Sequence, residues 1–273
     1  MSQLFVVGTP IGNLQDFSPR AVETLRSVDF IAAEDTRVTL KLLNHFEIKK
    51  PMVSYYEHNL REKGEMILSR ILAGETCAVV SDAGMPCISD PGEDLVRLCA
   101  AHGVPVTVIP GPSAAVSALA VSGMATSRFT FEGFLSTNKA SRAKHLASLQ
   151  NERRTMIFYE APHKLLPTLS DLEETFGADR PLSVCRELTK IHEEILRTTI
   201  GGARTYFTQT APKGEFVLII SGKAEEDAPQ LSLEEVCRIG REMVASGIRA
   251  TEAAKELAKT YGYKKADLYK ALL

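Results

Sequence analysis

Three stretches of the chain combine glycine, proline and small polar residues densely enough to grip a ligand: Val7-Gly8-Thr9-Pro10-Ile11-Gly12-Asn13, the run SDAGMPCISDPG from Ser81 to Gly92, and Pro110-Gly111-Pro112-Ser113-Ala114. Glycine lets main-chain N–H groups approach a bound molecule closely. Proline holds a turn already bent, so less entropy is lost on ordering it. One such loop is as readily an ordinary turn. Three in the first half of the sequence point instead to a preformed cradle.

Other chemistries lack their signatures. There is no G-x-x-x-x-G-K-[ST] run, and the first loop reads G-x-x-x-G rather than G-x-G-x-x-G, which disfavours a P-loop or an ordinary dinucleotide site. The six histidines form no pair at metal-ligand spacing with one another or with cysteine, so no metal is expected. A G-x-S-x-G nucleophile elbow is missing as well. The five cysteines are scattered and lack a CxxC pair, which reads as free thiols in a reducing compartment and a cytoplasmic location.

Loops of this kind bind ligands where they leave the carboxyl ends of strands in an open α/β sheet. The patterning puts them there. From Leu4 to Ser122 apolar, β-rich runs (LFVVG, FIAAE, VSYY, CAVVSD, VTVIPG) alternate with helical stretches over Thr36–Phe46, Glu62–Ala73, Glu93–Ala101 and Ser113–Ser122. That alternation predicts βαβ units on a largely parallel sheet. Ser18 before Pro19 predicts a capped helix start, and Ser113 after Pro110-Gly111-Pro112 predicts another.

A second block repeats the alternation, with RFTFEGF, TMIFYEA, LSVCREL, EILRTTI and EFVLIIS as strands and helices such as Lys139–Gln150 and Pro162–Phe176; Ser122–Arg128 reads as the linker. The acidic, proline-containing segment AEEDAPQ (224–230) marks a further boundary. Beyond it Ser232–Ala245, Ala250–Tyr261 and Lys265–Leu272 predict a three-helix unit of helix-turn-helix type.

Composition sets the outer limits. At 44% hydrophobic and 24% charged residues the chain has the balance of a globular protein, not of a disordered or coiled-coil one. MSQLFVVGTPIGN has no basic leader, and no apolar run approaches the roughly 18 residues of a membrane span, so no secretion signal, anchor or membrane partner is expected. A formal net charge of −2 gives no global attraction to nucleic acid; any RNA must be held by local basic patches.

Read in order, VGTPIGNLQD, AAEDTR, SDAGMPCISDPG, VIPGPSA, FEGFL, FYEAPHKL, CRELTKIHEE and GEFVLIISG resemble the tetrapyrrole-methylase-like family of methyltransferases, and within it the branch that modifies ribosomal RNA. The resemblance runs the length of the chain. It implies an α/β fold of two α/β/α domains (1–122 and 123–223) with a small C-terminal three-helix unit (231–273), and a homodimer. It further implies S-adenosyl-L-methionine held between the two domains. The implied reaction is methylation of the ribose 2′-hydroxyl of a decoding-centre (P-site) cytidine of 16S rRNA in the small ribosomal subunit. Corrin and porphyrin members usually carry G-x-G-x-G after the first strand; Gly8-Thr9-Pro10-Ile11-Gly12 departs from that, which argues against a tetrapyrrole substrate.

Carried over by motif, the resemblance implies cofactor contacts from Pro10 and Ile11, from Ser81, Asp82, Ala83, Gly84, Met85 and Ile88, from Ser113 and Ala114, and from Tyr159 and Ala161, with a further one near Lys213–Glu215. The helix beginning near Ser113 would offer N–H donors to a carboxylate, while Met85 and Ile88 would pack on the adenosine; plain core packing is their ordinary alternative.

The polar residues of the same motifs are the candidates for chemistry: Glu34, Asp35 and Arg37, His58 and Asn59, Glu160, then Arg186, Glu187 and Lys190. Asp35 or Glu160 is the first choice for removing the hydroxyl proton, with Arg37, Arg186 and Lys190 holding RNA phosphates. Each carboxylate could equally be the ion-pair partner of a neighbouring base. Lys139, Arg142, Lys144, Arg153, Arg154 and Lys164 crowd one basic stretch, and the C-terminal unit adds several more bases, diluted by acids. Two other readings stay open: methylation of a small molecule such as a corrinoid precursor, and a non-enzymatic RNA-binding or ribosome-assembly protein with a vestigial cleft.

Overall fold

The computed structural model describes residues 2–56, 58–224 and 231–273, so all of the acidic boundary segment except Ala224 lies outside the described residues. The first half alternates as its patterning requires: β1 (Leu4–Val7), α1 (Pro19–Ser27), β2 (Phe30–Ala33), α2 (Thr36–His45), β3 (Met52–Ser54), α3 (Leu60–Leu72), β4 (Cys77–Val80), α4 (Glu93–Ala101), β5 (Val106–Ile109) and α5 (Ala114–Ser122). The strands form a parallel sheet in the order β3-β2-β4-β1-β5. Every residue of β2 and β4 is buried, which is why FIAA and CAVV are unbroken apolar runs rather than alternating ones. Ser18 caps α1 by accepting from the Ala21 N–H, with Pro19 in the first turn. With β1 between β4 and β5, the three glycine-rich loops leave neighbouring strands at one end of the sheet.

The second half comprises β6 (Phe129–Phe134), α6 (Lys139–Ser148), β7 (Thr155–Glu160), α7 (Leu165–Phe176), β8 (Pro181–Arg186), β9 (Glu194–Thr199), α8 (Ile200–Gln209) and β10 (Phe216–Ile220). Here the structure departs from a simple repetition of the first half. The sheet, ordered β6-β7-β10-β8-β9, is parallel only between β6 and β7 and antiparallel elsewhere. The connection from β8 to β9 is too short for a crossover of a dozen or more residues, so that pair must run antiparallel. Helix α8 has no counterpart among the helices singled out from the sequence. Its Gly201 and Gly202 depress helix propensity, and the turn is started instead by Thr199, whose hydroxyl accepts from Gly202 N–H.

Helix α5 joins the two halves. Its sequence AAVSALAVS is apolar on nearly every side. Ala115, Ala118 and Leu119 share one core with Ile11 from the first half and with Ile157, Cys185, Val217 and Ile219 from the second sheet. Residues 1–122 and 123–223 therefore each carry a sheet yet belong to one compact unit, Met1–Lys223.

Ala224–Leu273 form a second compact unit, containing α9 (Leu233–Ala245), α10 (Ala250–Tyr261) and α11 (Lys265–Leu272). Ser232 and Glu235 make a reciprocal capping box at the start of α9. Val236, Cys237, Ala254, Leu257 and Leu268 form this unit's own core. No helix among the described residues is long and apolar enough to cross a membrane.

Candidate active site

The three glycine-rich loops are tied to one another through the main chain. Thr9 N–H donates to Gly84 O at 2.8 Å, Gly84 N–H returns a bond to Thr9 O at 3.1 Å, and the Thr9 hydroxyl donates to Ser81 O at 3.2 Å. At Gly8 the first loop meets the third so closely that a Cβ would lie 2.7 Å from Gly111 Cα and 2.6 Å from Met85 Sδ. Gly111 N–H in turn points at Met85 Sδ, 3.3 Å away. Glycine at 8 and 111 is thus a steric requirement of the junction.

Beside this junction a cavity of about 550 Å³ opens between the loops of the first sheet and the second sheet's β7, β8 and β10. From the first half it is lined by Ile11, Gly84, Met85, Ile88 and Ala114, and from the second by Phe134, Tyr159, Cys185 and Val217. Ser113, at the N-cap of α5, lies on the cavity and its hydroxyl makes no cap bond, unlike that of Ser18. The Tyr159 hydroxyl accepts from Ala115 N–H at 3.1 Å, which fixes the ring against the first turn of α5.

Charge is distributed unevenly around the space. Glu34, Asp82 and Asp90 share one side of it. Burial raises the carboxyl of Asp90 to about 7, with Glu34 and Asp82 adding repulsion and a hydrogen bond from Ser81 opposing the rise. Burial likewise raises Glu34 and Asp82 above the ordinary carboxylate range. On the other side Lys190 Nζ donates to Glu187 Oε1 at 2.9 Å and to Glu215 Oε2 at 3.2 Å. Burial alone would lower that ammonium, but the two carboxylates outweigh it and raise its pKa.

Backbone strain gathers in the same place. Among the described residues five non-glycine residues have positive φ, and four of them (Cys87, Ser89, Glu187 and Thr189) sit in the two loops that flank the cavity. Each costs on the order of 1–3 kcal/mol, which the surrounding packing must offset.

Of the residues expected to hold a cofactor, Ile11, Asp82, Ala83, Gly84, Met85, Ile88, Ser113, Ala114, Tyr159 and Ala161 all line this cavity. Pro10 and Ser81 line a neighbouring hollow that shares Ile11, Asp82 and Ala83 with it. The catalytic candidates divide. Glu160 and Lys190 reach the cavity, but Asp35 and Arg37 do not line it. Asp35 caps α2 through Arg37 N–H at 2.8 Å and is ion-paired to the Arg37 guanidinium at 2.6 Å. That hydrogen-bonded pairing holds its carboxyl at about 2, a poor proton acceptor. Glu160 is 4% exposed, and both of its oxygens are occupied: Oε1 accepts from Ala161 N–H and Oε2 from the Thr168 hydroxyl. Arg186 pairs with Glu194 instead of lining the cavity, and Asn59 braces the turn before α3, accepting from Tyr56 N–H and donating to Ser54 O.

Asp90 stands inside the second glycine-rich loop, yet sequence reasoning passes it over as a catalytic candidate, because nothing in SDPG says that its carboxylate is half-buried beside two others. Phe134, at the end of FEGF, escapes for a different reason: an aromatic closing a strand reads as core, whereas this ring is 57% exposed at the cavity. Among the described residues no group of His, Cys, Asp or Glu is arranged to hold a metal ion.

Residues 3–203 match the model of the family described as Tetrapyrrole (Corrin/Porphyrin) Methylases. A protein of Synechocystis sp. named "Ribosomal RNA small subunit methyltransferase I" is 49% identical over 273 residues, covering 100% of this chain and 98% of its own length. One of the same name from Thermotoga maritima is 48% identical over 223 residues, which make up 100% of that protein and 82% of this chain. Among solved structures, uroporphyrin-III C-methyl transferase from Thermus thermophilus complexed with S-adenyl homocysteine superposes with a TM-score of 0.56 at 17% identity, covering 80% of this chain and 97% of that one; this likeness concerns the fold.

Proposed function

We propose, from the premise that this chain belongs to the tetrapyrrole (corrin/porphyrin) methylase family, that it methylates the ribose 2′-hydroxyl of a cytidine in the decoding centre (P site) of 16S rRNA. The methyl donor is S-adenosyl-L-methionine. The observation that carries the RNA reading is the near-half identity, sustained over the whole chain, to a relative named for small-subunit rRNA. The G-x-x-x-G form of the first loop fits that reading better than a tetrapyrrole substrate does.

The cavity suits the donor. Ser113 and the first turn of α5 offer hydroxyl and N–H donors, at the positive end of a helix, to a carboxylate. Met85 and Ile88 supply an apolar wall for a nucleoside. When bound, S-adenosylmethionine supplies a methyl group on a positively charged sulfur, so that the new O–C bond forms as the S–C bond breaks. What remains for the chain is to align the ribose oxygen and to take its proton; orientation can contribute roughly 7–11 kcal/mol at best and a general base about 10²–10⁴-fold.

In this reading Asp90 takes the proton. Its carboxyl lies on the cavity, faces Glu34, Asp82, Cys87 and Tyr159, and is raised by burial to about 7, near the working pH of a general base. Glu160 positions the Ala161 turn, and Lys190 holds the β8–β9 loop through Glu187 and Glu215. RNA phosphates fall to exposed bases such as Lys139 and Lys144. The protein works in the cytoplasm, where its substrate and its free thiols belong. It works as a homodimer: β5 is an edge strand whose Val106 and Val108 are left exposed. Light scattering at micromolar concentration should return twice the 29.9 kDa chain mass.

The deciding experiment offers labelled S-adenosylmethionine with small ribosomal subunits, naked 16S rRNA or a tetrapyrrole. Label is expected in the RNA, at one cytidine, on a ribose that has become resistant to alkaline cleavage. Label on a base or on the tetrapyrrole would overturn the proposal.

A further inference from the structure

Strand β6 is an edge of the second sheet, and its pairing with β7 is broken by a bulge. Phe131 is opposite Ile157, but the next partners are Gly133 with Phe158 and Phe134 with Tyr159. In a regular strand residues 131 and 134, three apart, would face opposite sides. The extra residue, Glu132, restores Phe134 to the side that already carries Phe131. That side belongs to Ile157 and Tyr159, which pack towards α5 and the cavity, whereas Met156 and Phe158 fill the core on the other side. Gly133 makes the bulge possible with φ of +63°, and a Cβ there would come 3.4 Å from Ser89 Oγ.

The ring so re-aimed is not used as core. Phe134 is 57% exposed. Its support is rigid: the Tyr159 ring lies 5.5 Å away, tilted by 59°, and Phe131 braces Tyr159 edge-on at 5.1 Å. The Tyr159 hydroxyl is itself held by Ala115 N–H. A single exposed phenylalanine is ordinary, but a bulge beside a site commonly serves to re-aim a side chain. Here it sets one face of a fixed aromatic ring at a cavity that also carries Asp90.

We propose that Phe134 is the stacking platform for the nucleobase of the target nucleotide. The inference rests on the RNA-methylation reading and adds to it the element that holds the base while its ribose enters the cavity. A flat apolar face suits a base drawn out of its own stack, because every base has a π surface and the contact needs no hydrogen-bond pattern. It also excludes water from the ribose beside it.

The test compares Phe134→Ala, Phe134→Leu and Phe134→Trp with the unaltered protein in steady-state methylation of small ribosomal subunits, with S-adenosylhomocysteine affinity measured by calorimetry. Loss of the ring should lower kcat/KM for subunits by about 5- to 150-fold in both the Ala and the Leu variant, the range expected for one base–aromatic stack. Phe134→Trp should retain activity and S-adenosylhomocysteine affinity should be unchanged in all three. Leucine keeps the apolar bulk without the π face, so a Leu variant as active as the parent overturns the platform. A parallel loss of S-adenosylhomocysteine affinity also overturns it, by making Phe134 a contact of the donor. If the unaltered protein leaves RNA unlabelled, the RNA-methylation reading itself falls and takes the platform with it.

Discussion

Asp90 is asked to be a base and is also a burden on the fold, and both consequences can be measured. As the acceptor of the ribose proton it must be ionised, so kcat/KM, which reports the free protein's groups, should fall about tenfold per unit as pH drops below about 7 and should level off above it. Asp90→Asn should remove that limb and most of the turnover, about 10²–10⁴-fold, while S-adenosylhomocysteine affinity changes little. An unchanged pH profile in the Asn variant would assign the proton to another group. The stability effect has the opposite sign from that of an ion-paired carboxylate. Because the folded protein holds this proton more tightly than the unfolded chain, the group favours folding at low pH, and that advantage is lost as pH rises from the ordinary carboxylate range to about 7. Asp90→Asn should therefore stabilise the protein at pH 8, by on the order of 1 kcal/mol once partial exposure is allowed for. Denaturant melts of the two proteins at pH 5 and pH 8 would show it, the difference growing with pH. Asp35 behaves in the usual way: its carboxyl is held down by Arg37, and whatever it contributes is lost on acidification through about pH 2.

At the choice of base the sequence stops being informative. The loops that line the cavity are legible because backbone geometry constrains residue type, and a glycine that a Cβ would drive into Gly111 has to be a glycine. The base is not. Asp35, Asp90 and Glu160 are all carboxylates in distinctive motifs, and only burial and partners separate them: one is neutralised by an adjacent guanidinium, one has both oxygens occupied, and one is half-buried with its charge unpaired.

At the scale of elements, the junction of the first and third loops is the most sensitive point. Gly8→Ala places a methyl 2.7 Å from Gly111 Cα and 2.6 Å from Met85 Sδ. Methionine can move; the main chain of the third loop cannot without shifting Ser113 and the start of α5. The substitution should cost about 1–3 kcal/mol as overpacking. It should weaken S-adenosylhomocysteine binding by about tenfold or more, since the N-terminus of α5 is displaced. Calorimetry showing parental affinity in Gly8→Ala would mean the junction does not shape the cavity. The parallel half of the fold follows from its buried, unbroken strands, whereas the mixed second sheet does not. Strand direction there depends on connection length and on β10 inserting between β7 and β8, a long-range pairing that no local pattern announces. The bulge at Gly133 is hidden for the same reason, since its register exists only against β7.

At the scale of the whole molecule the question is what the second compact unit adds. It has its own core and its own capped first helix, so it is a folded element rather than a tail. The first unit, Met1–Lys223, contains both sheets and every residue that lines the cavity. The relative from Thermotoga maritima is matched over its whole length by 82% of this chain. Ending the chain after Lys223 should therefore leave a cooperative melting transition and parental S-adenosylhomocysteine affinity. Methylation of small subunits should weaken through KM more than through kcat. The second unit carries Arg241, Arg249, Lys255, Lys259, Lys264, Lys265 and Lys270. If some of them meet phosphates, the truncated protein should also show a shallower dependence of RNA affinity on salt, by about 0.7–0.9 in log–log slope for each phosphate that is no longer neutralised. The acids Glu234, Glu235, Glu242, Glu252 and Glu256 share the same helices, so far fewer phosphates will be neutralised than there are bases. Equal RNA affinity and equal salt slope with and without the second unit would remove it from substrate binding and leave the exposed bases of the first unit to hold the RNA.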